Sequence, residues 1–233
     1  FVDLFCGGCD VSITTQANSI YANDINYHVI DIMKAFQQYD VDYLLEYIDT
    51  TINQWCLNKT NEEGYKAFRD YYNKSKNPLD LYILMCFSFN YQFRFNSNHD
   101  YNNPFGKNRS SFNDVMRNNL IIFKGRIEDI HFSSFDFLDF DYDVLKAGDF
   151  IYADPPYLLT CGSYNDGKRG FRGWTGHDDI ELFRILTELS DRGVNFALSN
   201  VIEHKGLTNC NLADWADTNG YFIHSINFNY NNC

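Results

Sequence analysis

The sequence of 233 residues contains no apolar run long enough to cross a bilayer and no signal peptide. We therefore expect a cytoplasmic protein that does not associate with membranes. It also lacks the cysteine pattern of a disulfide framework, because its seven cysteines are odd in number and irregularly spaced. One C-x-x-C pair, Cys6 and Cys9, has no second pair to complete a zinc site, so we expect no metal.

Basic residues are few. The chain has 19 lysines and arginines against 31 aspartates and glutamates, which gives a net charge of −12. A protein of this charge binds a polyanion such as nucleic acid only through local basic clusters. Two such clusters can be named: Arg94, Lys107 and Arg109 form the first, and Lys168, Arg169 and Arg172 the second. Solvated surface charge is an almost equally good interpretation of any single one of them.

Length and composition predict one α/β domain with a small insertion, because 45% hydrophobic and 18% aromatic residues support a sizeable core. Apolar spacing predicts a helix over 26–38 and further helices between 41 and 90, the last opened by Pro78. Strands are predicted at 1–5, 21–24, 121–123, around Phe135, 149–153 and 195–198. A mobile loop is expected over 161–176, before a helix with a Thr175–Asp178 capping box.

The most informative motif is Asp154-Pro155-Pro156-Tyr157. Two successive prolines end the preceding strand, so the motif lies at the carboxyl edge of the sheet, where open α/β sheets bind ligands. Asp154 and the carbonyl of Pro155 can both accept hydrogen bonds from one exocyclic amine of a nucleobase. Tyr157 can then stack on the ring. The alternative is an ordinary turn that ends a strand.

The amino-terminal segment predicts a nucleoside-binding βαβ unit, since a strand, a glycine turn, and a second strand ending in an acid follow in order. Gly7 and Gly8 do not form a G-x-G-x-x-G pattern, so a pyrophosphate cradle is not expected. S-adenosylmethionine (AdoMet), a nucleoside without phosphates, suits the shorter loop. We expect Asp24 to bind the ribose hydroxyls; the alternative is a helix N-cap.

Between Asn90 and Arg109 aromatic residues alternate around a polar centre at 97–100. This pattern predicts a β-hairpin with a flexible tip. Two-stranded ribbons fit the major groove of DNA. A plain surface hairpin is the alternative.

The motifs F-V-D-L-F-C-G-G at 1–8, Y-A-N-D at 21–24 and D-P-P-Y at 154–157 together resemble the Dam-type (D12 class, alpha group) DNA adenine-N6 methyltransferases of bacteria and phages. Further matches are the segments 93–96, 103–107 and 134–137 and the pair Ser199-Asn200. The resemblance covers nearly the whole chain. It implies a segment ahead of Phe1 that closes over the methionine end of AdoMet, and we expect the natural chain to include further residues.

The resemblance implies an α/β fold with a Rossmann-like AdoMet-dependent methyltransferase sheet. A mostly helical DNA-recognition insertion is expected to carry the β-hairpin. The catalytic, AdoMet-binding domain would comprise residues 1–44 and 120–233, and the target-recognition insertion residues 45–119. The implied partner is double-stranded DNA, with GATC as the first guess for the site and its adenine flipped out of the duplex. The state of assembly, monomer or weak dimer, stays open.

The resemblance also assigns residues to roles. The catalytic set is Asp154, Pro155, Pro156 and Tyr157. The cofactor-binding set is Asp3, Phe5, Gly7 and Gly8 around the methionine portion, Asp24 on the ribose, Asp136 accepting from the adenine amine, Phe137 stacking on that ring, and Asp154. The DNA-binding set is Arg94, Asn96, Pro104, Lys107 and Arg109.

Two other functions stay open. D-P-P-Y also occurs in RNA methyltransferases, although the long aromatic insertion argues against that substrate. A non-catalytic DNA-binding relative is the second alternative, against which the intact Asp154 and the intact Gly7-Gly8 turn argue.

Overall fold

A computed structural model describes residues 1–160 and 171–226 of the chain. Its centre is a five-stranded parallel sheet of order β3-β2-β1-β4-β5. The strands are β1 (Val2–Asp3), β2 (Ile20–Asn23), β3 (Ile130–Ser133), β4 (Phe150–Ala153) and β5 (Asn195–Leu198). The chain builds outward from β1 through β2 to β3 and then crosses to β4 on the other side of β1. This reversal places a topological switch point, the usual ligand crevice of such sheets, between β1 and β4.

Seven α-helices lie within the described residues. They are α1 (Tyr27–Gln38), α2 (Val41–Gln54), α3 (Glu62–Ser75), α4 (Pro78–Phe87), α5 (Asp114–Ile127), α6 (Gly176–Asp191) and α7 (Cys210–Thr218). Side-chain caps begin most of them: Asp40, Asn61, Asn77, Asn113 and Asn209 each accept a backbone N–H. Pro78 occupies the first turn of α4, as predicted, and the Thr175–Asp178 capping box is present.

Two apolar cores sandwich the sheet. The first gathers α1 to α5, with Ile30, Leu44 and Phe68 fully buried, and the second gathers α6. Neighbouring residues of β2 contact different cores, because Tyr21 packs on the second and Ala22 lies in the first. That alternation follows from the period of two along a strand and assigns the cores to opposite faces. The predicted Rossmann-like α/β architecture is therefore confirmed.

The predicted strand at 121–123 is wrong. These residues lie in α5, which Asn113 opens by accepting a hydrogen bond from the backbone N–H of Met116. Ile121 and Ile122 are exposed, whereas Leu120 and Ile127 are buried. The strand expected around Phe135 lies slightly earlier, because β3 ends at Ser133.

The segment 88–105 returns antiparallel, but not as the regular ribbon that the sequence predicts. Two isolated bridges, Ser88 to Phe105 and Phe95 to Tyr101, replace a continuous ladder. A 3-10 turn at Phe89–Tyr91 interrupts the first arm. The Asn103 amide donates to the carbonyls of Phe89 and Gln92, so side-chain hydrogen bonds satisfy backbone groups that a ladder would otherwise pair.

A short antiparallel pair, β6 (Glu203–His204) and β7 (Leu207–Thr208), precedes α7. The limits 44/45 and 119/120 expected for the recognition insertion fall inside α2 and α5. No helix in 1–160 or 171–226 combines the length and the apolar character needed to cross a bilayer. Most of the predicted mobile loop, with Lys168 and Arg169, lies outside the described residues.

Candidate active site

A cleft of about 620 Å³ opens at the switch point between β1 and β4. It is walled by the turns that follow β1, β2, β3 and β4, and by residues 171–174. Every residue that the sequence assigns to catalysis or to the cofactor lines it: Asp3, Phe5, Gly7, Gly8, Asp24, Asp136, Phe137, Asp154, Pro155, Pro156 and Tyr157. Residues scattered over 155 positions of sequence thus meet because parallel strands end at one edge.

Asp24 joins the turn after β1 to the start of α1. Its Oδ2 accepts from the N–H of Gly7 at 3.0 Å, and its Oδ1 accepts from the N–H of Asn26 at 2.7 Å. Gly7 has φ +46°, a left-handed conformation that glycine adopts without strain. The N-cap position of α1 is Asn26, so Asp24 is not the helix cap. Burial raises the pKa of Asp24, and the two backbone hydrogen bonds oppose that increase.

Asp3, at the end of β1, is 1% exposed and only half satisfied. Ser12 donates its hydroxyl to Oδ2 at 2.7 Å, while the buried Oδ1 has no hydrogen-bond partner among the described residues. Burial raises the pKa of Asp3 to about 6; the Ser12 hydrogen bonds oppose the increase, and the charges of Asp24 and Asp154 add to it. An unpartnered buried acceptor beside two other carboxylates favours a cationic or proton-donating ligand.

The motif after β4 forms a hydrogen-bonded group with the end of β5. Tyr157 donates its hydroxyl proton to Asp154 Oδ1 at 2.6 Å, and its oxygen lies 2.8 Å from the Ser199 hydroxyl. Since a phenol has one proton, Ser199 is the donor in that second contact. The N–H of Ser199 donates to the carbonyl of Ala153 at 2.9 Å, which holds the two strand ends together.

Three aromatic rings pack at the β3 side of the cleft. The ring of Phe137 lies 5.8 Å from Phe5 and 5.2 Å from Trp174, and Trp174 meets Phe5 edge-on at 5.7 Å. Phe137 is 3% exposed, so most of its surface contributes to the core even though it lines the cleft. Sequence reasoning missed Trp174, because no local pattern around it indicates that it returns to the site.

Asp136 is bound to Arg172 in a two-point ion pair. Nε of Arg172 lies 2.6 Å from Asp136 Oδ2, and Nη2 lies 3.0 Å from Oδ1. Oδ1 also accepts from the N–H of Leu138 at 3.1 Å. The Arg172 hydrogen bonds hold the pKa of Asp136 below its usual range. From the sequence, Arg172 is a candidate phosphate contact. In the structure its guanidinium instead forms ion pairs with Asp136 and Asp178.

The five residues predicted to bind DNA lie together on the 88–110 segment, outside the cleft lining. Arg94, Pro104, Lys107 and Arg109 are exposed. The guanidinium of Arg109 lies 5.0 Å from the centre of the exposed Phe89 ring. Asn96 closes the tip instead, because its Oδ1 accepts from the N–H groups of Asn98 and Asp100 at 2.9 Å each. The segment thus presents basic side chains beside an aromatic ring.

In the part of the chain that the structure describes, no three His, Cys, Asp or Glu side chains are grouped so as to hold a metal ion. Among the described residues, Cys6 and Cys9 are buried free thiols.

A parallel sheet of this order, with an acidic cleft at its switch point and D-P-P-Y at its edge, defines a Rossmann-like methyltransferase. The sequence profile of the D12 class N6 adenine-specific DNA methyltransferases matches residues 1–231. The chain belongs to that family.

Several bacterial enzymes are similar over most of the chain. Type II methyltransferase M.FokI of Planomicrobium okeanokoites and modification methylase StsI of Streptococcus sanguinis are each 47% identical to it over 234 residues, which cover 100% of this chain. DNA adenine methylase of Escherichia coli (strain K12) is 23% identical over 85% of this chain and 70% of its own length. This chain spans only 36% of the length of the first two.

Proposed function

We propose that the chain is the methyl-transferring part of a site-specific DNA methyltransferase that modifies N6 of adenine in duplex DNA. The observation that carries the proposal is the cleft itself, which brings Asp154 and its hydrogen-bonded partner Tyr157 together with the Gly7-Gly8 turn and Asp24. Family membership and the 47% identity to named modification methylases support it. Because the same relatives are named modification methylases or Type II methyltransferases, we also propose that the protein belongs to a restriction–modification system.

The residues of the cleft fit AdoMet, which supplies an electrophilic methyl group on a positively charged sulfur. Three carboxylates, Asp3, Asp24 and Asp154, line the cleft, and Oδ1 of Asp3, which has no partner among the described residues, is an acceptor available to a cationic group. Phe5, Gly7 and Gly8 lie on the turn beside Asp3, in position to contact the same portion of the ligand. Asp24 and Phe137 would bind the ribose and the adenine ring. No metal is required for this chemistry.

Asp154 and the carbonyl of Pro155 act on the target base. Both are acceptors, so together they bind the N6 amine and orient its lone pair away from the ring. Pro156 fixes the turn, and the ring of Tyr157 stacks on the base while its hydroxyl restrains Asp154. Most of the rate acceleration then arises from holding two reactants in the reactive geometry.

The target adenine must leave the duplex, because its N6 is engaged in base pairing and cannot otherwise enter the cleft. We propose that the segment 88–110, within the recognition insertion 45–119, contacts the DNA through Arg94, Asn96, Pro104, Lys107 and Arg109. A local basic face is needed because the chain as a whole has a net charge of −12. GATC is the first site to test, and the cytoplasm is the proposed compartment.

The test is transfer of tritium from methyl-labelled AdoMet to unmethylated duplex DNA, followed by mapping of the modified base. We expect N6-methyladenine at one short sequence, with Asp154→Ala as the inactive control. RNA of matched sequence tests the main alternative: label in RNA and not in DNA would replace this proposal. Binding of DNA without transfer by a chain that also binds AdoMet would favour the non-catalytic alternative.

A further inference from the structure

A five-residue segment, Phe171–Thr175, forms part of the wall of the cleft; we call it the strap. Its first four residues line the cleft. At one end the ring of Phe171 meets His99 edge-on at 5.4 Å, at the tip of the 88–110 segment. At the other end Trp174 packs on Phe5 and Phe137. The strap therefore touches both the tip of the 88–110 segment and the aromatic end of the cleft.

Two carboxylates of α6, Asp178 and Asp179, anchor the strap. Arg172 forms an ion pair with Asp178, which is 6% exposed, and the other oxygen of Asp178 accepts from the N–H and the hydroxyl of Thr175 at 2.7 Å each. The indole N–H of Trp174 donates to the fully buried Asp179 at 2.7 Å. Such buried, satisfied contacts give one defined position to the strap.

The remaining anchor is Asp136, the residue that the family resemblance gives to the adenine amine. Both of its oxygens already accept from Arg172, and Oδ1 also accepts from the N–H of Leu138. A two-point pair with a guanidinium is stronger than a hydrogen bond from a neutral aryl amine. The guanidinium lies 5.7 Å from the centre of the Phe137 ring, so the pair covers that ring.

We infer that Asp136 and Arg172 act as one positioning unit, which holds the strap over the adenine end of the cleft, and that Asp136 does not read the adenine amine. The inference rests on the proposed function, since it takes AdoMet as the ligand. It predicts that loss of either side chain alone weakens ligand binding as much as loss of both.

The experiment is calorimetric binding of S-adenosylhomocysteine and its deaminated analogue, S-inosylhomocysteine, to wild type, Asp136→Asn, Arg172→Ala and the double variant. Each single change should weaken binding of the adenosyl ligand about tenfold, since each breaks the charged pair. The double variant should be no weaker than either single variant. The affinity ratio of the two ligands should be the same in Asp136→Asn as in wild type.

A different pattern overturns the inference. Additive losses in the double variant, or a ratio that collapses or inverts in Asp136→Asn, would show that Asp136 contacts the amine directly. Arg184→Ala is the matched control, because it removes an exposed arginine of α6 paired only with Glu181 and Glu188 among the described residues. Its affinity should equal that of wild type.

Folding and the proposed function are tested separately. Thermal unfolding of each variant identifies any that fails to fold, and Arg172→Lys then replaces Arg172→Ala; it keeps the charge without the two-point geometry and should bind more weakly than wild type. An Arg172→Lys variant that binds the ligand as tightly as wild type would contradict the inference. Wild type that binds neither ligand and transfers no methyl group overturns the proposed function, and the inference with it.

Discussion

The hydroxyl of Tyr157 donates a 2.6 Å hydrogen bond to Oδ1 of Asp154. The contact joins the first and last residues of the D-P-P-Y motif, so the turn holds its own carboxylate in one orientation. Ser199 donates to the same phenol from the end of β5. In the proposed mechanism, this leaves Oδ2 of Asp154 and the carbonyl of Pro155 as the acceptor pair for N6.

Asp154→Ala should lower kcat on duplex DNA by roughly 10²-fold or more, because one of the two groups that orient the amine is lost. AdoMet should still bind, since Asp3 and Asp24 remain. Single-turnover transfer and calorimetry measure the two effects. Activity within a few-fold of wild type would show that Asp154 does not act on the amine.

Tyr157→Phe separates the hydroxyl from the ring. We expect kcat to fall by roughly 3- to 30-fold, because the hydrogen bond that restrains Asp154 is lost while the ring remains. Tyr157→Ala should lose a further ~1–3 kcal/mol from stacking on the base. Ser199→Ala, which removes only the outer partner, is the control and should have the smallest effect. If Tyr157→Phe kept the wild-type kcat, Tyr157 would contribute to catalysis through its ring and not through its hydroxyl.

Asp3→Asn should change the pH dependence of AdoMet binding. Folding raises the pKa of Asp3 to about 6, so its contribution to stability is present below about pH 4 and is lost as pH rises through 6. A cationic ligand prefers the carboxylate, so wild-type affinity should increase between pH 5 and pH 7. In the variant this increase should shrink to what Asp24 contributes.

The same substitution has an opposite effect on the unliganded protein. At pH 7 the buried carboxylate is an unfavourable charge, so Asp3→Asn should raise the free energy of unfolding by roughly 1–3 kcal/mol. Urea denaturation without AdoMet measures it. A variant that is less stable and keeps the wild-type pH profile of binding would contradict both parts of the argument.

Local pattern was enough to predict much of the fold. The strands at 149–153 and 195–198 and the capping box at Thr175 need only residues adjacent in sequence, and the structure has all three within a residue or so. The error at 121–123 came from three consecutive β-prone residues. They lie in a helix that Asn113 caps eight positions earlier and that buries Leu120, Lys124 and Ile127, so capping and packing outweigh local propensity.

The contacts inside the cleft could not be predicted in the same way. Arg172 and Asp136 are 36 positions apart, and nothing near either residue indicates the other. Trp174 and Phe5 lie far apart in sequence and meet only in the folded chain. The residues that the family motifs predict for the site line one cleft, whereas the partners of Asp136, Tyr157 and Asp3 depend on tertiary packing.

Gly106→Ala tests the packing of the segment 88–110. A Cβ at this position would lie 2.7 Å from the carbonyl oxygen of Ser88 and would overlap the side chain of Ser110. We expect a loss of roughly 1–3 kcal/mol in the free energy of unfolding. Gly125→Ala in α5, where a Cβ would meet no atom of the described residues within 4 Å, should instead gain roughly 0.5–1 kcal/mol. Equal effects on urea denaturation would refute the packing argument.

We expect Lys107 and Arg109 to contribute differently to sequence specificity. Both are exposed, but Arg109 is held over the Phe89 ring, so its guanidinium is the more restrained of the two. Restraint suits a side chain that reads guanine O6 and N7 in the major groove, whereas a mobile lysine suits a phosphate. We therefore expect Arg109→Ala to cost about 1–3 kcal/mol and to relax selectivity at one position of the site.

Methylation of a random-sequence duplex library by wild type, Lys107→Ala and Arg109→Ala measures both effects. Lys107→Ala should weaken methylation of all sequences alike and reduce the salt dependence of DNA binding by about one counterion. Relaxed selectivity in Lys107→Ala would show that Lys107 reads the base and Arg109 contacts a phosphate. Unchanged selectivity in both would move base reading out of this segment, and a wild-type motif other than GATC would correct the site while leaving the roles of the two side chains as proposed.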